Sequence, residues 1–171
     1  ANYMKQKQSP TQSGWARLRE AQSKTLNLNN TAMGITIDIG DANDIHPKNK
    51  KDVGYRLATQ AQRLVYDQQK SPNPPAYKAM KVVDGKIKIT FSNPSALDVK
   101  EGTFLKNFTI ATKDKKFVWA KAKYRNNEVI VWNDAIDVPV AVRYAWADNP
   151  GTINFYDIKG MPVSPFRTDE W

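Results

Sequence analysis

The stretch Gly34–Pro47, GITIDIGDANDIHP, reads as a strand that runs into a polar loop. Ile35, Ile37 and Ile39 alternate with Thr36, Asp38 and Gly40, the period-two pattern of an extended chain. Gly40 and Asp41 break that pattern. The loop then presents Asp41, Asn43, Asp44 and His46 within six residues, and His46 is the one histidine among 171 residues. A strand that delivers a single imidazole among carboxylates and amides is a common way for a fold to present a general base.

On either side of this stretch the periodicity is helical. Ser13 is placed to cap a helix from Gly14 to Lys24, with Trp15, Leu18, Ala21 and Gln22 on its inner stripe and Arg17, Arg19, Glu20 and Lys24 toward water. Asn29–Asn30 makes the turn into the Ile strand. After Pro47 a second helix runs to about Tyr66, with Val53, Leu57, Ala61, Leu64 and Val65 on one face and Lys51, Arg56, Gln60 and Arg63 elsewhere. Gly54 within it would allow a neighbour to approach closely. Helix, strand, loop and helix in this order suggest an α/β layer, whose functional loops lie at the carboxyl ends of its strands. His46 stands at that end.

Ser71-Pro72-Asn73-Pro74-Pro75 interrupts the chain, and beyond it the helical period disappears. Tyr77–Val83 and Lys86–Phe91 flank Asp84-Gly85, a type I′ hairpin signal. Phe104–Thr112 reads as a strand region. Phe117–Tyr124 and Glu128–Trp132 flank Asn126-Asn127 as a second hairpin. Val138–Trp146 is a further strand, with Pro139 near its start. Short strands with regular turns indicate an antiparallel β-sandwich. The tail from Ala147 to Trp171 has little periodicity but holds Phe155, Tyr156, Phe166 and Trp171, so it is expected to pack across the sandwich or onto the helical part. The division that follows is an α/β portion at 1–70, a Pro-rich linker at 71–76 and a β-sandwich with its tail at 77–171. Residues 1–12 read as an irregular surface segment.

The net charge is +9, but its lysines alternate with buried-type residues. Lys86 and Lys88 bracket Ile87, and Lys121 and Lys123 bracket Ala122, which places lysine on the wet face of half-buried strands. Lys48, Lys50 and Lys51 cluster tightly, but without interleaved aromatics, so no nucleic-acid partner is expected. No apolar run approaches a membrane span, so no membrane partner is expected either. The basic balance would suit an acidic ligand such as a carboxylated sugar. The chain has no cysteine, which removes disulfides and thiolate chemistry. It opens Ala-Asn-Tyr, with neither initiator methionine nor signal peptide, and is expected to be a piece of something longer.

Most enzyme constellations find no counterpart here. There is no P-loop and no GxGxxG. One histidine without cysteine leaves a zinc site only carboxylates, and their spacing suggests none. Asp38, Asp41 and Asp44 recur every three residues, which is not a calcium-loop pattern. No metal or cofactor is therefore expected. A nucleophile–histidine arrangement remains, since an imidazole accepts and returns a proton near neutrality.

The run DIGDANDIHPKNKKDVGYRLA, Asp38 to Ala58, resembles the carboxyl-terminal histidine block of sialate O-acetylesterases, members of the SGNH hydrolases. WARLREAQ, Trp15 to Gln22, is similar to the helix before that block. VAVRYAWADNP, Val140 to Pro150, and SPFRTDEW, Ser164 to Trp171, are similar to the end of the same proteins. The resemblance implies the last helix–strand–helix of a flavodoxin-like SGNH hydrolase domain followed by a β-sandwich. It implies an esterase that removes O-acetyl groups from sialic acids through a serine, in a periplasmic or secreted setting. His46 matches the family's catalytic histidine. The family's serine block and oxyanion-hole blocks are not in this chain, and Ser13 reads as a helix cap. The nucleophile would come from an amino-terminal esterase segment, and this chain alone would be inactive. Where the family commonly has aspartate three residues before the histidine, this chain has Asn43. The orienter is thus open between Asn43, Asp44, Asp41 and a backbone carbonyl, and a serine–histidine dyad is equally consistent. Two alternatives stand beside this: an acetylxylan or other polysaccharide acetylesterase, and a non-catalytic carbohydrate-binding or structural sandwich module.

Overall fold

A computed structural model describes residues 13–67, 73–92 and 97–171. Two helices come first, α1 at Gly14–Lys24 and α2 at Lys50–Leu64. Ten strands follow: β1 Ala76–Val83, β2 Lys86–Ser92, β3 Leu97–Val99, β4 Phe108–Ala111, β5 Phe117–Trp119, β6 Lys121–Arg125, β7 Glu128–Trp132, β8 Ala141–Tyr144, β9 Phe155–Asp157 and β10 Phe166–Arg167. Every paired strand is antiparallel. One four-stranded sheet has the order β1-β2-β7-β6, a second β10-β8-β4-β5, and β3 pairs with β9. The molecule is β-rich, and among the described residues no helix is long and apolar enough to cross a membrane.

The sandwich follows from its sequence pattern. Both expected hairpins form. Asp84 and Gly85 have φ of 49° and 70°, and Asn126 and Asn127 have 53° and 61°, the double positive φ that a type I′ turn requires. Ile87, Ile89, Val129, Val131 and Ala122 alternate inward and are wholly buried against Phe108, Ile110 and Val142 of the other sheet. The intervening Lys86, Lys88, Lys121 and Lys123 face outward or lie half-exposed. The region read as a single strand from Phe117 divides at Ala120: β5 joins one sheet and β6 the other. The tail supplies β9 and β10, and Phe155, Tyr156 and Phe166 pack into the shared core. Phe91, Phe108, Tyr144, Phe155 and Phe166 form one aromatic cluster, with centroid separations of 4.7–6.5 Å.

The helical segment departs from expectation in three ways. The Ile35–Ile39 strand does not form. Residues 31–36 form no ladder and 37–39 turn, because no described strand lies alongside to pair with them. Ile35 and Ile37 still point inward and join the sandwich core. The helix faces are also reversed. In α2 the buried side chains are Arg56, Thr59 and Gln60, while Leu57 and Leu64 and, just past its end, Val65 are exposed. In α1 Ala16 is buried, Leu18 is exposed, and Arg19 and Glu20 bond to the sandwich instead of water. The cause is that α1 and α2 attach through directed polar bonds, so the apolar stripes are left outside. Finally, a Cβ on Gly54 would meet nothing within 4 Å, so that glycine makes no close approach. The close approach is at Gly34, where a Cβ would lie 3.3 Å from Leu57 Cδ2.

Residues 1–12, and Ser71 and Pro72 of the expected linker, lie outside the described residues.

Candidate active site

The histidine loop is assembled from short-range bonds that its own sequence supplies. Asp41 Oδ1 accepts from the Asn43 amide at 2.9 Å, and Asp44 Oδ1 accepts from the His46 amide at 2.8 Å. These are successive Asx turns, the local bond that makes aspartate a loop residue. An isolated bridge joins Asp41 to Asp44. Asn49 then caps α2: its Oδ1 accepts from the Asp52 amide at 3.1 Å and its Nδ2 donates to Asp52 Oδ2 at 2.7 Å. Pro47 lies just ahead of that cap.

Within this loop His46 Nδ1 is 3.2 Å from Asp44 Oδ1, and the imidazole side chain is 83% exposed. Of the candidate orienters, Asp44 is the one whose carboxylate faces the ring. Asn43 is engaged through its backbone amide, and Asp41 holds that amide and lies 3.8 Å from Lys48 Nζ. The His46 backbone N–H first, and then its ring, hold the Asp44 carboxyl below its ordinary value. In the tautomer that donates from Nδ1 to this carboxylate, Nε2 is the ring nitrogen left to accept a proton. The described residues bring no serine into hydrogen-bond contact with His46. Ser13 is committed elsewhere, capping α1 at Ala16 N and donating to Asp148 Oδ1 at 2.5 Å. Nor does any described group of three or more His, Asp and Glu side chains form a metal cage.

Beneath the loop lies a contact that sequence inspection did not find. The Arg56 guanidinium grips Asp38 through two parallel bonds, NH1 to Oδ1 at 2.6 Å and NH2 to Oδ2 at 2.7 Å. NH1 also donates to the Ile35 carbonyl at 2.6 Å. Tyr156 of β9 donates to Asp38 Oδ2 at 3.3 Å. Desolvation is the largest single influence on the Arg56 guanidinium and pulls it down; the Asp38 bond, the Asp38 charge and the nearby Asp52 together exceed it, so the net shift is upward. Burial, and then Asp38, push the Tyr156 hydroxyl up to about 12, which keeps it a donor at neutral pH.

A groove of about 790 Å³ runs between α1, the extended segment and β10, lined by Ala16, Met33, Ile35, Leu57, Tyr77 and Phe166 among others. His46 is not part of it.

A β-sandwich carrying a histidine loop on a short helical lead defines the architecture. No family model matches this chain, and no curated protein matches it. Among solved structures it is similar to XAC1771, a novel carbohydrate acetylesterase from Xanthomonas citri, with a TM-score of 0.89 and 45% sequence identity. The similarity covers 93% of this chain and 37% of that one, so the chain spans a little over a third of that protein's length.

Proposed function

We propose that this chain is part of a carbohydrate acetylesterase in which His46 is the general base. What carries the reading is the 45% identity to a carbohydrate acetylesterase over 93% of the chain, at a TM-score of 0.89. The exposed imidazole with Asp44 at Nδ1 fits the role. Residues 1–70 would belong to the esterase domain of SGNH type, with a boundary at 71–76 and the sandwich beyond it. A serine from the remainder of the parent protein attacks the acetyl carbonyl while His46 Nε2 takes its proton. The tetrahedral intermediate collapses, the proton passes to the sugar oxygen, and the sugar hydroxyl leaves. Water, deprotonated by the same nitrogen, then releases acetate and restores the serine.

For the substrate we favour O-acetylated sialic acid. The sequence resemblance points there, and a chain of net charge +9 suits a carboxylated sugar. The test is acetate release from O-acetyl sialic acid and from acetylated xylan by the parent protein, with and without His46→Ala. Loss of about 10²–10⁴-fold is expected for the variant. Near-normal turnover would remove His46 from the mechanism, and preference for xylan would replace the sialic acid reading. The 171-residue chain alone is expected to release no acetate.

A non-catalytic sandwich has one observation in its favour. Trp132 and Phe104 lie 6.1 Å apart, with Lys86 and Lys123 over their rings. Micromolar glycan binding that survives deletion of residues 1–70 would support it.

A further inference from the structure

We propose that Asp38, Arg56 and Tyr156 form a positioning unit through which the β-sandwich holds the His46 loop in place. The proposal rests on the reading of His46 as general base, and none of the three residues touches the reacting atoms.

The loop between Asp38 and Asn49 has little packing of its own. Its Asx turns shape it internally, yet His46 and Ile45 are exposed at its tip. Its location relative to the rest of the fold is therefore set at its two ends. One end is Asp38, eight residues before His46. The other is α2, which begins immediately after the Asn49 cap and carries Arg56. The two-pronged bond from Arg56 to Asp38 joins these ends across 18 residues and closes the loop into a ring. The Ile35 carbonyl, bonded to the same guanidinium, fixes the incoming chain as well. Tyr156 comes from 118 residues away and ties the closed ring to β9. Lys100 Nζ stands 3.9 Å from the centre of the Tyr156 ring.

The pair is a poor choice for stability alone. Its side chains are 7% and 9% exposed, and burying two charges costs about as much as their attraction returns. An apolar contact at the same place on α2 would hold the helix at least as well, and Leu57 next to Arg56 is turned outward instead. What a planar fork supplies, and apolar packing does not, is a fixed direction in the plane of the carboxylate. That suits a base that must meet its proton within a fraction of an ångström, since small misplacements cost about 10²-fold in rate. The sandwich thereby gains a part in the reaction through Tyr156.

The test has two arms. In the parent protein, hydrolysis of 4-nitrophenyl acetate is compared for wild type, Arg56→Lys, Tyr156→Phe and His46→Ala, each checked for folding by near-UV circular dichroism. Arg56→Lys keeps the charge and loses the fork. It is expected to lower kcat by about 10- to 100-fold with KM changed less than about twofold. Tyr156→Phe removes one hydroxyl and is expected to lower kcat about threefold. A folded Arg56→Lys protein with wild-type kcat overturns the proposal. The second arm uses the 171-residue chain, whose single histidine gives one imidazole C2–H resonance. Arg56→Lys and Tyr156→Phe are expected to shift and narrow that resonance while signals of Ile87 and Val131 stay in place. An unmoved resonance in both folded variants also overturns it. If His46→Ala retains turnover, the general-base reading falls, and the resonance arm alone then decides whether the unit holds the loop.

Discussion

Residues 76–144 bury Ile87, Ile89, Val129 and Val131 completely, whereas the helical segment before them leaves Leu57 54% exposed and buries Arg56, Thr59 and Gln60. Each region also holds one two-pronged Arg–Asp pair. In the sandwich it is Arg143 with Asp169, at 2.9 and 2.7 Å, under the rings of Phe117 and Trp146. In the helical segment it is Arg56 with Asp38. The sandwich uses its apolar pattern on itself. The helices join it through Ser13 to Asp148, Arg19 to the Ala147 carbonyl, Glu20 to Arg167 and Asp38 to Tyr156, with Ile35 and Ile37 as the main apolar insertion. A core held by packing resists local change, whereas a segment held by directed bonds keeps its geometry only while each bond is made. In the esterase reading, the outward stripe of Leu18, Leu57, Leu64 and Val65 would face the remainder of the esterase domain.

The largest effect should come from breaking the better enclosed of the two ion pairs. The Asp169 side chain has no exposure, so Arg143→Met leaves a carboxylate that cannot reach water with only its longer Arg167 contact, at 3.5 Å. The expected cost is about 3–5 kcal/mol in urea unfolding. Converting both partners, Arg143→Met with Asp169→Leu, should recover most of it. Arg56→Met should cost less, about 1–2 kcal/mol, because the Asp38 side chain keeps 9% exposure and its Tyr156 bond. Equal losses at the two pairs would mean that the helical segment is enclosed as tightly as the sandwich.

Truncation of apolar side chains gives the same contrast at smaller amplitude. Ile89→Ala opens a cavity in the shared core, for an expected loss of about 2–5 kcal/mol. Leu57→Ala removes atoms that already meet solvent and should stay within about 0.5–1 kcal/mol. A Leu57→Ala loss as large as that of Ile89→Ala would show that the outward stripe is packed in solution.

These contrasts also separate what the sequence discloses from what it conceals. Alternation at Ile87, Ile89, Val129 and Val131, with Asp84-Gly85 and Asn126-Asn127 between strands, is local information, and the sandwich hairpins could be read from it. Ser13 as a cap and the bounds of α1 were local too. The face of α2 was not. A 3.6-residue stripe shows that one face is apolar, but burial depends on what is supplied opposite it. Here the opposing groups are Asp38 and the Ile35 carbonyl, which favour Arg56 over Leu57. The strand at Ile35–Ile39 failed for the same kind of reason: alternation gives the pleat, whereas a ladder needs a neighbour. Of the loop, His46 and its carboxylate neighbours were visible, and which one faces the ring was not. Asp44 is selected because an Asx turn to the His46 amide already brings its carboxylate alongside the ring. Tyr156, 118 residues from Asp38, leaves no trace in spacing at all.

The smallest expected effect concerns α1, and pH can isolate it. Glu20 accepts two bonds from Arg167 of β10, at 2.8 and 3.0 Å, and is the ionised link between helix and tail. The Arg167 bond is the main cause that holds the Glu20 carboxyl below its ordinary value, against a smaller opposing desolvation. A group whose folded pKa is depressed contributes fully above its unfolded value, ~4.3 for glutamate, and that contribution is lost as pH falls through the folded pKa. Amide exchange in α1, followed from neutral pH down through ~4.3, should therefore quicken relative to the β2 and β7 amides once base and acid catalysis of exchange are corrected for. Asp148, which accepts from Ser13 and from the Trp15 amide, reports on the same helix, so the wild-type profile mixes two carboxylates. Glu20→Gln separates them. It lacks the titrating charge, and its α1 exchange should already be faster at neutral pH and change less on acidification. If the Gln variant matches wild type at every pH, the Arg167 contact contributes nothing to holding α1, and Ser13, Arg19 and the insertion of Ile35 and Ile37 hold the helical segment without it.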